Sequence, residues 1–405
     1  MIVISSTGEI MMDATLTDTI DKHGDPLAFK LRQGPRRPSP LLTGGRDVIT
    51  VEARQMAGHQ KEAVVTEGVD GNTWRLTSDE GIHLRGTDLA PFPLGFFNAG
   101  LQSDLYGRIR TLAAARAIAL DDVEIRATNH YWLTGSFIQG TGEGHAEAPD
   151  INVHVQSDAS TETIEALVAV AMDSSPAIAF LRTPLASNTF ALYINGRRRQ
   201  VDGVANSPAA DAGDPYRTYP RAPRPIDTNA RSDLIEKTGR VEAGTPELAG
   251  PTVTNKLIRN IIGEGKSLGR DGLYAVDTWL GMPGTSHFRL ISNEAGIGTA
   301  PCGLALLSAG IAFCYMTQLA RYIENMKMNI RSVRLVQHNP YLAGPAATVE
   351  PIDTHLFLNG EAPDETHLQL LTIAARTCYL HAAAKTPTEP KLRIVHNGSE
   401  IARAA

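Results

Sequence analysis

The sequence predicts an α+β fold built from two diverged copies of one module. Its 405 residues exceed the size of one ordinary compact core, so two domains are the expected organisation. An internal match supports this organisation, because Trp-Arg-Leu-Thr-Ser-Asp-Glu at 74–80 corresponds to Phe-Arg-Leu-Ile-Ser-Asn-Glu at 288–294. Helix-like and strand-like segments follow each match in the same order, which indicates a duplication.

The first shared element is a long apolar helix. It is predicted over 94–105 in the first copy and over 304–323 in the second. Around the second helix, residues 296–320 include no charged side chain, a pattern that is also typical of a membrane span. Small and polar residues interrupt this stretch, and Arg321 continues its pattern, so a buried central helix is the favoured interpretation.

A strand, a second helix and a closing turn follow in both copies. Apolar residues alternate in the strands, polar or Pro residues open the helices, and Asn-Gly ends the last strand. The paired positions are 123–126 with 333–336, Ser160 with Pro363, and 195–196 with 397–398.

These matches divide the chain into four segments. The stretch between the copies is rich in Pro, Asp, Arg and Ala, which predicts a linker in extended form without a regular sheet or a long helix. The first 45 residues show no counterpart in the second copy. The predicted segments are an N-terminal extension (1–45), a first module (46–204), the linker (205–251) and a second module (252–405).

Composition narrows the classes of partner and the compartment. The net charge of −6 argues against nucleic-acid or anionic-membrane partners, which need a basic face. The N-terminus lacks the basic and apolar regions of a secretory signal, and only three cysteines are present. We therefore expect a cytoplasmic protein with free thiols, a small organic substrate and possible further pairing of two chains.

Two cysteines of the second copy are candidate reactive residues. Leu304, Leu307, Ile311 and Cys314 recur at three- and four-residue steps, which places Cys314 on the apolar face of the long helix. Cys378 follows 64 positions later, near the end of the second helix. Buried free cysteines often act as small hydrophobic residues, so a purely structural role is the alternative.

Three features of the second copy resemble the OsmC/Ohr family of osmotically inducible and organic hydroperoxide resistance proteins. The segment 307–314, Leu-Ser-Ala-Gly-Ile-Ala-Phe-Cys, is similar to the family's central helix. Cys378 matches the family's second cysteine in helix context and separation, and Gly-Arg-Asp-Gly at 269–272 resembles the segment with its catalytic arginine. The resemblance covers about 46–200 and 252–400, and its specific motifs lie in the second copy.

The resemblance implies a fold and a reaction. Each module would be a β-sheet wrapped around the long central helix and a second helix, and the tandem chain would form an intrachain pseudo-dimer. Cys314 would attack a hydroperoxide, Cys378 would resolve the sulfenic acid as a disulfide, and Arg270 would stabilise the thiolate. An external dithiol would restore the thiols, and we expect no bound cofactor or metal. The candidate pocket residues are Leu304, Phe313, Tyr315, His381 and Asp104.

The second copy departs from the family pattern at a charged position. The family has Pro-Glu about ten residues before its peroxidatic cysteine, and the Glu holds the arginine, whereas 303–304 here is Gly-Leu. Glu294 is our candidate for the missing carboxylate, and Glu80 or Asp104 from the first copy are alternatives. Arg289 is a second candidate cation.

The first copy lacks both thiols. Asp104 stands at the position of the first cysteine and Ser175 at that of the second. This half is therefore structural, or Asp104, Asp173 and Ser175 form a different small site. It is also a candidate wall, lid or carboxylate donor for the thiol site of the second half.

Three functions remain open at this point. The first is a thiol peroxidase for organic hydroperoxides. The second is a hydrolase, lyase or isomerase that uses Cys314 on a small electrophilic metabolite. The third is a non-catalytic binding module with a buried pocket.

Overall fold

The computed structural model of the protein describes residues 18–31, 47–68, 71–185, 187–218, 232–242, 257–269, 271–296 and 298–401. The predicted α+β class is confirmed, since the described strands form two large sheets with helices packed against them.

The elements up to the predicted linker are α1 (Ile20–His23), β1 (Ala28–Lys30), β2 (Asp47–Gln55), β3 (Lys61–Glu67), β4 (Thr73–Ser78), α2 (Pro93–Ala115), β5 (Asp122–Thr134), β6 (Glu143–Ala146), β7 (Asp150–Gln156), α3 (Thr161–Ser174), α4 (Pro176–Arg182), β8 (Thr189–Ile194) and β9 (Arg197–Arg199). The later elements are β10 (Ala205–Asn206), α5 (Pro215–Thr218), β11 (Ile235–Arg240), β12 (Leu257–Ser267), β13 (Leu273–Leu280), β14 (Ser286–Asn293), α6 (Gly303–Asn325), β15 (Ile330–Leu342), β16 (Thr348–Val349), β17 (Asp353–Gly360), α7 (Asp364–Thr377), α8 (Tyr379–Lys385), β18 (Lys391–His396) and β19 (Ser399–Glu400).

Each sheet takes strands from both halves of the chain. The first sheet has the order β1-β4-β3-β2-β15-β17-β8-β10, and the second has β11-β14-β13-β12-β5-β7-β18-β19. The halves meet where β2 pairs with β15 and β12 with β5, both antiparallel, and where β8 pairs with β17 and β7 with β18, both parallel. Apolar side chains from both halves share one core cluster. Neither half therefore completes a sheet without strands from the other.

Two short strands correct the expectations for the extension and the linker. β1 lies within 1–45 and pairs with β4, and β11 lies within 205–251 and pairs with β14. β1 and β11 occupy equivalent edges of the two sheets. The extension therefore does have a counterpart, which is the strand that the linker contributes. The high proline content of the linker as a whole concealed this strand. The part at 232–242 contains no proline, so its backbone is able to pair at the edge of a sheet.

Local sequence signals set the ends of several elements where we predicted them. Ser160 caps α3, and its Oγ accepts a hydrogen bond from Thr163 N at 3.3 Å. Asn195 and Gly196 have φ of 50° and 78°, the left-handed backbone that a two-residue hairpin turn needs. The turn at 397–398 has the same conformation, with φ of 49° and 80°.

The long helices α2 and α6 cross in the core through glycines. A Cβ at Gly100 of α2 would overlap the backbone of Gly303 and Leu307 in α6, and a Cβ at Gly310 would overlap the backbone of Phe97. Only a residue without a side chain allows this approach. By length and composition α6 could cross a membrane, but the structure buries its apolar window entirely inside the protein.

We expect Gly100→Ala to lower the free energy of unfolding by about 1–3 kcal/mol, because the added methyl group forces two backbones apart. This overlap outweighs the roughly 1 kcal/mol that alanine gains over glycine in a helix. Urea unfolding followed by circular dichroism measures the change. Gly239→Ala is the matched control, since a Cβ there meets no atom within 4 Å. Equal stability of the two variants would contradict the close crossing.

Candidate functional site

The structure brings together the two cysteines that the sequence singled out. Cys314 lies in the middle of α6, and Cys378 lies between α7 and α8, where it is the N-cap residue of α8. The two Sγ atoms are 3.2 Å apart, and both residues are buried. The sulfurs are free thiols at a distance from which a disulfide could form with a small movement.

The environments of the two sulfurs differ. Burial raises the pKa of the Cys314 thiol, and the hydrogen bond with Cys378 raises it further. The backbone N–H of Leu380 has a smaller effect that lowers this pKa. Burial also acts to raise the pKa of Cys378, but the hydrogen bond from Cys314 and the contacts of His381 lower it well below its ordinary value. A negative charge on the pair is therefore best stabilised on Cys378, with the remaining proton on Cys314.

A pocket opens onto Cys314. It encloses about 490 Å³ of empty space, part of it open to solvent. Its apolar lining residues come from both halves of the chain, and they are Leu84, Phe92, Pro93, Leu94, Ile261 and Leu280. Leu84 and Phe92 lie in the loop between β4 and α2. Asp79 holds this loop, because its carboxylate accepts hydrogen bonds from the backbone N–H groups of Thr87 and Leu89 at 3.0 and 3.1 Å. Residues of the first half therefore line part of the pocket at the thiol site of the second half.

A carboxylate of the first half lies in this pocket. Glu80 is buried and accepts a hydrogen bond from the hydroxyl of Thr317, one turn beyond Cys314 on α6, at 2.5 Å. The ammonium group of Lys61 lies 3.9 Å from the same carboxylate and donates to the same hydroxyl at 3.0 Å. Burial raises the pKa of Glu80, and the charge of Lys61 opposes that rise. Of the candidate carboxylates, Glu80 is the one that the fold brings to the cysteine pocket.

Two guanidinium groups that the sequence reasoning missed line the same pocket. They belong to Arg259 on β12 and Arg321 on α6. Burial lowers the pKa of both, and Tyr379 and Glu80 oppose this effect. Arg321 was detectable, because it lies seven positions after Cys314 and so on the same helix face. The sequence contains no comparable signal for Arg259, because the position of this residue at the pocket depends on how β12 packs.

The equivalent position in the first half is filled by an oxygen pair. Asp104 of α2 is buried and accepts hydrogen bonds from the Ser175 hydroxyl at 2.6 Å and from Ala177 N at 3.1 Å. Ser175 precedes α4 as Cys378 precedes α8. The predicted third member, Asp173, is exposed and pairs with Arg182. The first half thus reproduces the geometry of the thiol pair with groups that have no redox chemistry.

Glu294 lies at this oxygen pair, whereas our candidate role placed it at the thiol pair. Its side chain packs against Gly107 of α2, and its Oε1 accepts from Gly303 N at 2.7 Å. Burial raises the pKa of Glu294 to about 8, and the charge of Asp104 adds to the rise. Glu80 and Glu294 follow equivalent strands, and each lies beside the long helix of the opposite half.

The remaining predicted residues have varied surroundings. Arg270 lies outside the described residues, and Arg289 pairs with Asp277 at 2.8 Å. Leu304 is half-buried near the start of α6, and Phe313 packs edge-on against Phe96. The ring centroids of Tyr315 and His381 lie 4.9 Å apart in the core, behind the cysteine pair.

Comparison with known proteins adds a similarity to solved structures. No protein-family model and no curated protein matches the chain. Among solved structures, the chain is similar to an OsmC-like hydroperoxide resistance protein from Jannaschia sp. CCS1, with 25% sequence identity and a TM-score of 0.18. That match covers 30% of this chain and 82% of the other.

Proposed function

We propose that the protein is a thiol-dependent peroxidase of the OsmC/Ohr type that reduces organic hydroperoxides, with its two halves arranged as an intrachain pseudo-dimer. The observation that carries the proposal is the pair of Sγ atoms 3.2 Å apart, with Cys314 on the lining of a pocket. The exchange of strands between the halves supports the pseudo-dimer, as does the position of Glu80 beside the helix of the opposite half.

The geometry supports a reaction in two steps. In the first, the Cys314 sulfur attacks the terminal oxygen of ROOH, the O–O bond breaks, and the Cys314 proton passes to Cys378. Cys314 becomes a sulfenic acid, and the alkoxide leaves as ROH after taking a proton. In the second, the Cys378 thiol attacks the sulfenic sulfur, which yields a disulfide and water. An external dithiol then reduces the disulfide and is itself oxidised.

The pocket suggests which hydroperoxides react. Its apolar walls would bind the organic group, which hydrogen peroxide lacks. Glu80 would accept a hydrogen bond from the peroxide O–H, and the guanidinium groups of Arg259 and Arg321 would stabilise the negative charge that develops on the leaving oxygen.

The test is to mix the reduced protein with one equivalent of cumene hydroperoxide and to count the free thiols after unfolding. Of the three free cysteines, two should be lost rapidly. Cys302→Ser is the matched control, because it removes a thiol outside the pair and should leave the loss of two thiols unchanged. In Cys378→Ser, the sulfenic acid should persist and be trapped by dimedone on Cys314.

A slow loss of fewer thiols would contradict the peroxidase proposal. Catalysis of another reaction that depends on Cys314 would then favour a hydrolase, lyase or isomerase. Ligand binding that does not depend on Cys314 would favour a binding module.

A further inference from the structure

A second cluster of chemically active side chains lies on the outer face of the first sheet. It consists of His338 on β15 with Asp353 and His355 on β17, and all three are at most 3% exposed. One nitrogen or oxygen atom from each lies within 4.8 Å of the other two. His355 Nε2 and Asp353 Oδ2 are 3.0 Å apart. Burying two imidazoles and a carboxylate together costs free energy unless their polar atoms are paired or bind a metal.

This cluster is separate from the cysteine pair. Along β15, Val333 and Leu335 enter the main core, whereas Val336 belongs to a small cluster on the opposite face. His338 follows Val336 by two positions and so shares its face. Ala212 of the linker packs against the small cluster.

The second partner of each side chain would hold it in place as a metal ligand. His338 Nδ1 lies 3.3 Å from the Thr50 hydroxyl, and His355 Nδ1 lies 3.0 Å from the Tyr193 hydroxyl. The Thr189 hydroxyl donates to Asp353 Oδ1 at 2.6 Å. An ion bound through Nε2 of both histidines and Oδ2 of Asp353 would leave these contacts intact. Metal-binding histidines usually have such a partner on the other ring nitrogen.

The equivalent place in the second sheet has a different donor set. There Thr128 faces Asp150 and Arg126 faces Asn152, where the first sheet has His338 opposite Asp353 and Val336 opposite His355. The carboxylate is therefore present in both sheets, but the second sheet has one imidazole beside it where the first has two, since His130 Nε2 lies 2.7 Å from Asp150 Oδ2. The second sheet serves as an internal comparison that lacks one of the three donors.

We propose that His338, Asp353 and His355 bind one divalent transition-metal ion of the zinc type. Two imidazoles and one carboxylate suit Zn²⁺, and a water molecule would complete a tetrahedral site. The partners Thr50 and Tyr193 belong to β2 and β8 of the first half, whereas the ligands belong to the second half. The ion would therefore stabilise the part of the sheet where the two halves meet.

The test titrates Co²⁺ into the full chain after removal of metals by a chelator. We expect one Co²⁺ per chain with the visible absorption of a tetrahedral site, displaced by Zn²⁺. His338→Gln should weaken Co²⁺ binding at least about 100-fold, since loss of a mere supporting partner can cost 10- to 100-fold. Asp353→Asn, which keeps the side-chain shape, should weaken it similarly.

His154→Gln on β7 of the second sheet is the matched control and should bind Co²⁺ as the unchanged protein does. Circular dichroism without metal shows whether each variant folds. Absence of Co²⁺ binding by the unchanged protein would overturn the proposal without reference to any variant. A sulfur-to-cobalt charge-transfer band would also overturn it, because the ion would then lie at the cysteine pair. Unweakened binding by folded His338→Gln would do the same.

Discussion

Cys314→Ser should slow the reaction with cumene hydroperoxide by at least about a thousandfold, as expected when a catalytic nucleophile is removed. A serine hydroxyl stays protonated at neutral pH and is a far weaker nucleophile than sulfur. Of the two paired cysteines, Cys314 lines the pocket and Cys378 does not, so Cys314 is the sulfur placed to meet a bound peroxide. Stopped-flow measurement of hydroperoxide consumption in the first turnover tests this expectation.

Two other cysteine variants make the result specific. Cys302→Ser should react at the rate of the unchanged protein, since Cys302 precedes α6 and lies outside the sulfur pair. Cys378→Ser should still consume one equivalent of hydroperoxide, more slowly because the acceptor of the Cys314 proton is lost, but should not form the disulfide. If Cys378→Ser lost the first turnover and Cys314→Ser kept it, the assigned roles of the two sulfurs would be reversed.

The second large effect is expected in stability at Glu294. Burial and the charge of Asp104 raise the pKa of Glu294 to about 8, so the folded protein holds a proton that the unfolded chain releases near pH 4.5. The folded state thus binds more protons between these values, and stability falls as pH rises from about 5 to 8. Below this range the contribution is fully present, and above it the contribution is lost.

Glu294→Gln removes this titration and keeps an oxygen for the backbone N–H of Gly303. We expect the variant to be more stable than the unchanged protein by roughly 2 kcal/mol at pH 8 and nearly equal at pH 4.5. A shift from 4.5 to about 8 would correspond to roughly 5 kcal/mol for a fully buried group, at about 1.4 kcal/mol per pKa unit, and we expect less because Glu294 is partly open to solvent.

Urea unfolding of both proteins across this pH range measures the difference. Glu236→Gln, at an exposed residue of β11, is the control and should show no such pH dependence. A stability difference that did not change with pH would contradict a half-buried, protonated Glu294.

The two pseudo-equivalent sites show how one fold separates architecture from chemistry. Cys314 with Cys378 and Asp104 with Ser175 occupy matching places, and each pair joins a long helix to the start of a short one. Asp104 and Ser175 keep the hydrogen bonds to α4 without a reactive sulfur. The first half therefore has a direct role as the wall of the thiol pocket and as the source of Glu80.

The sequence by itself determined the features that depend on local interactions. The α+β class, the cap at Ser160 and the Asn-Gly turns follow from short segments, because helix caps and turns are satisfied within a few residues. The proximity of Cys314 and Cys378 was also anticipated, although that inference came from a family resemblance and not from spacing alone.

Only the tertiary structure decided which residues meet across the halves. The repeat matches Glu80 and Glu294 equally well, and the exchange of strands between sheets determined which of them lies beside Cys314. The edge strand β11, the pocket residue Arg259 and the pairing of His338 with Asp353 depend on the same contacts. Strand pairing is non-local, so the residues that neighbour a given residue across a sheet cannot be predicted from the segment of sequence around it.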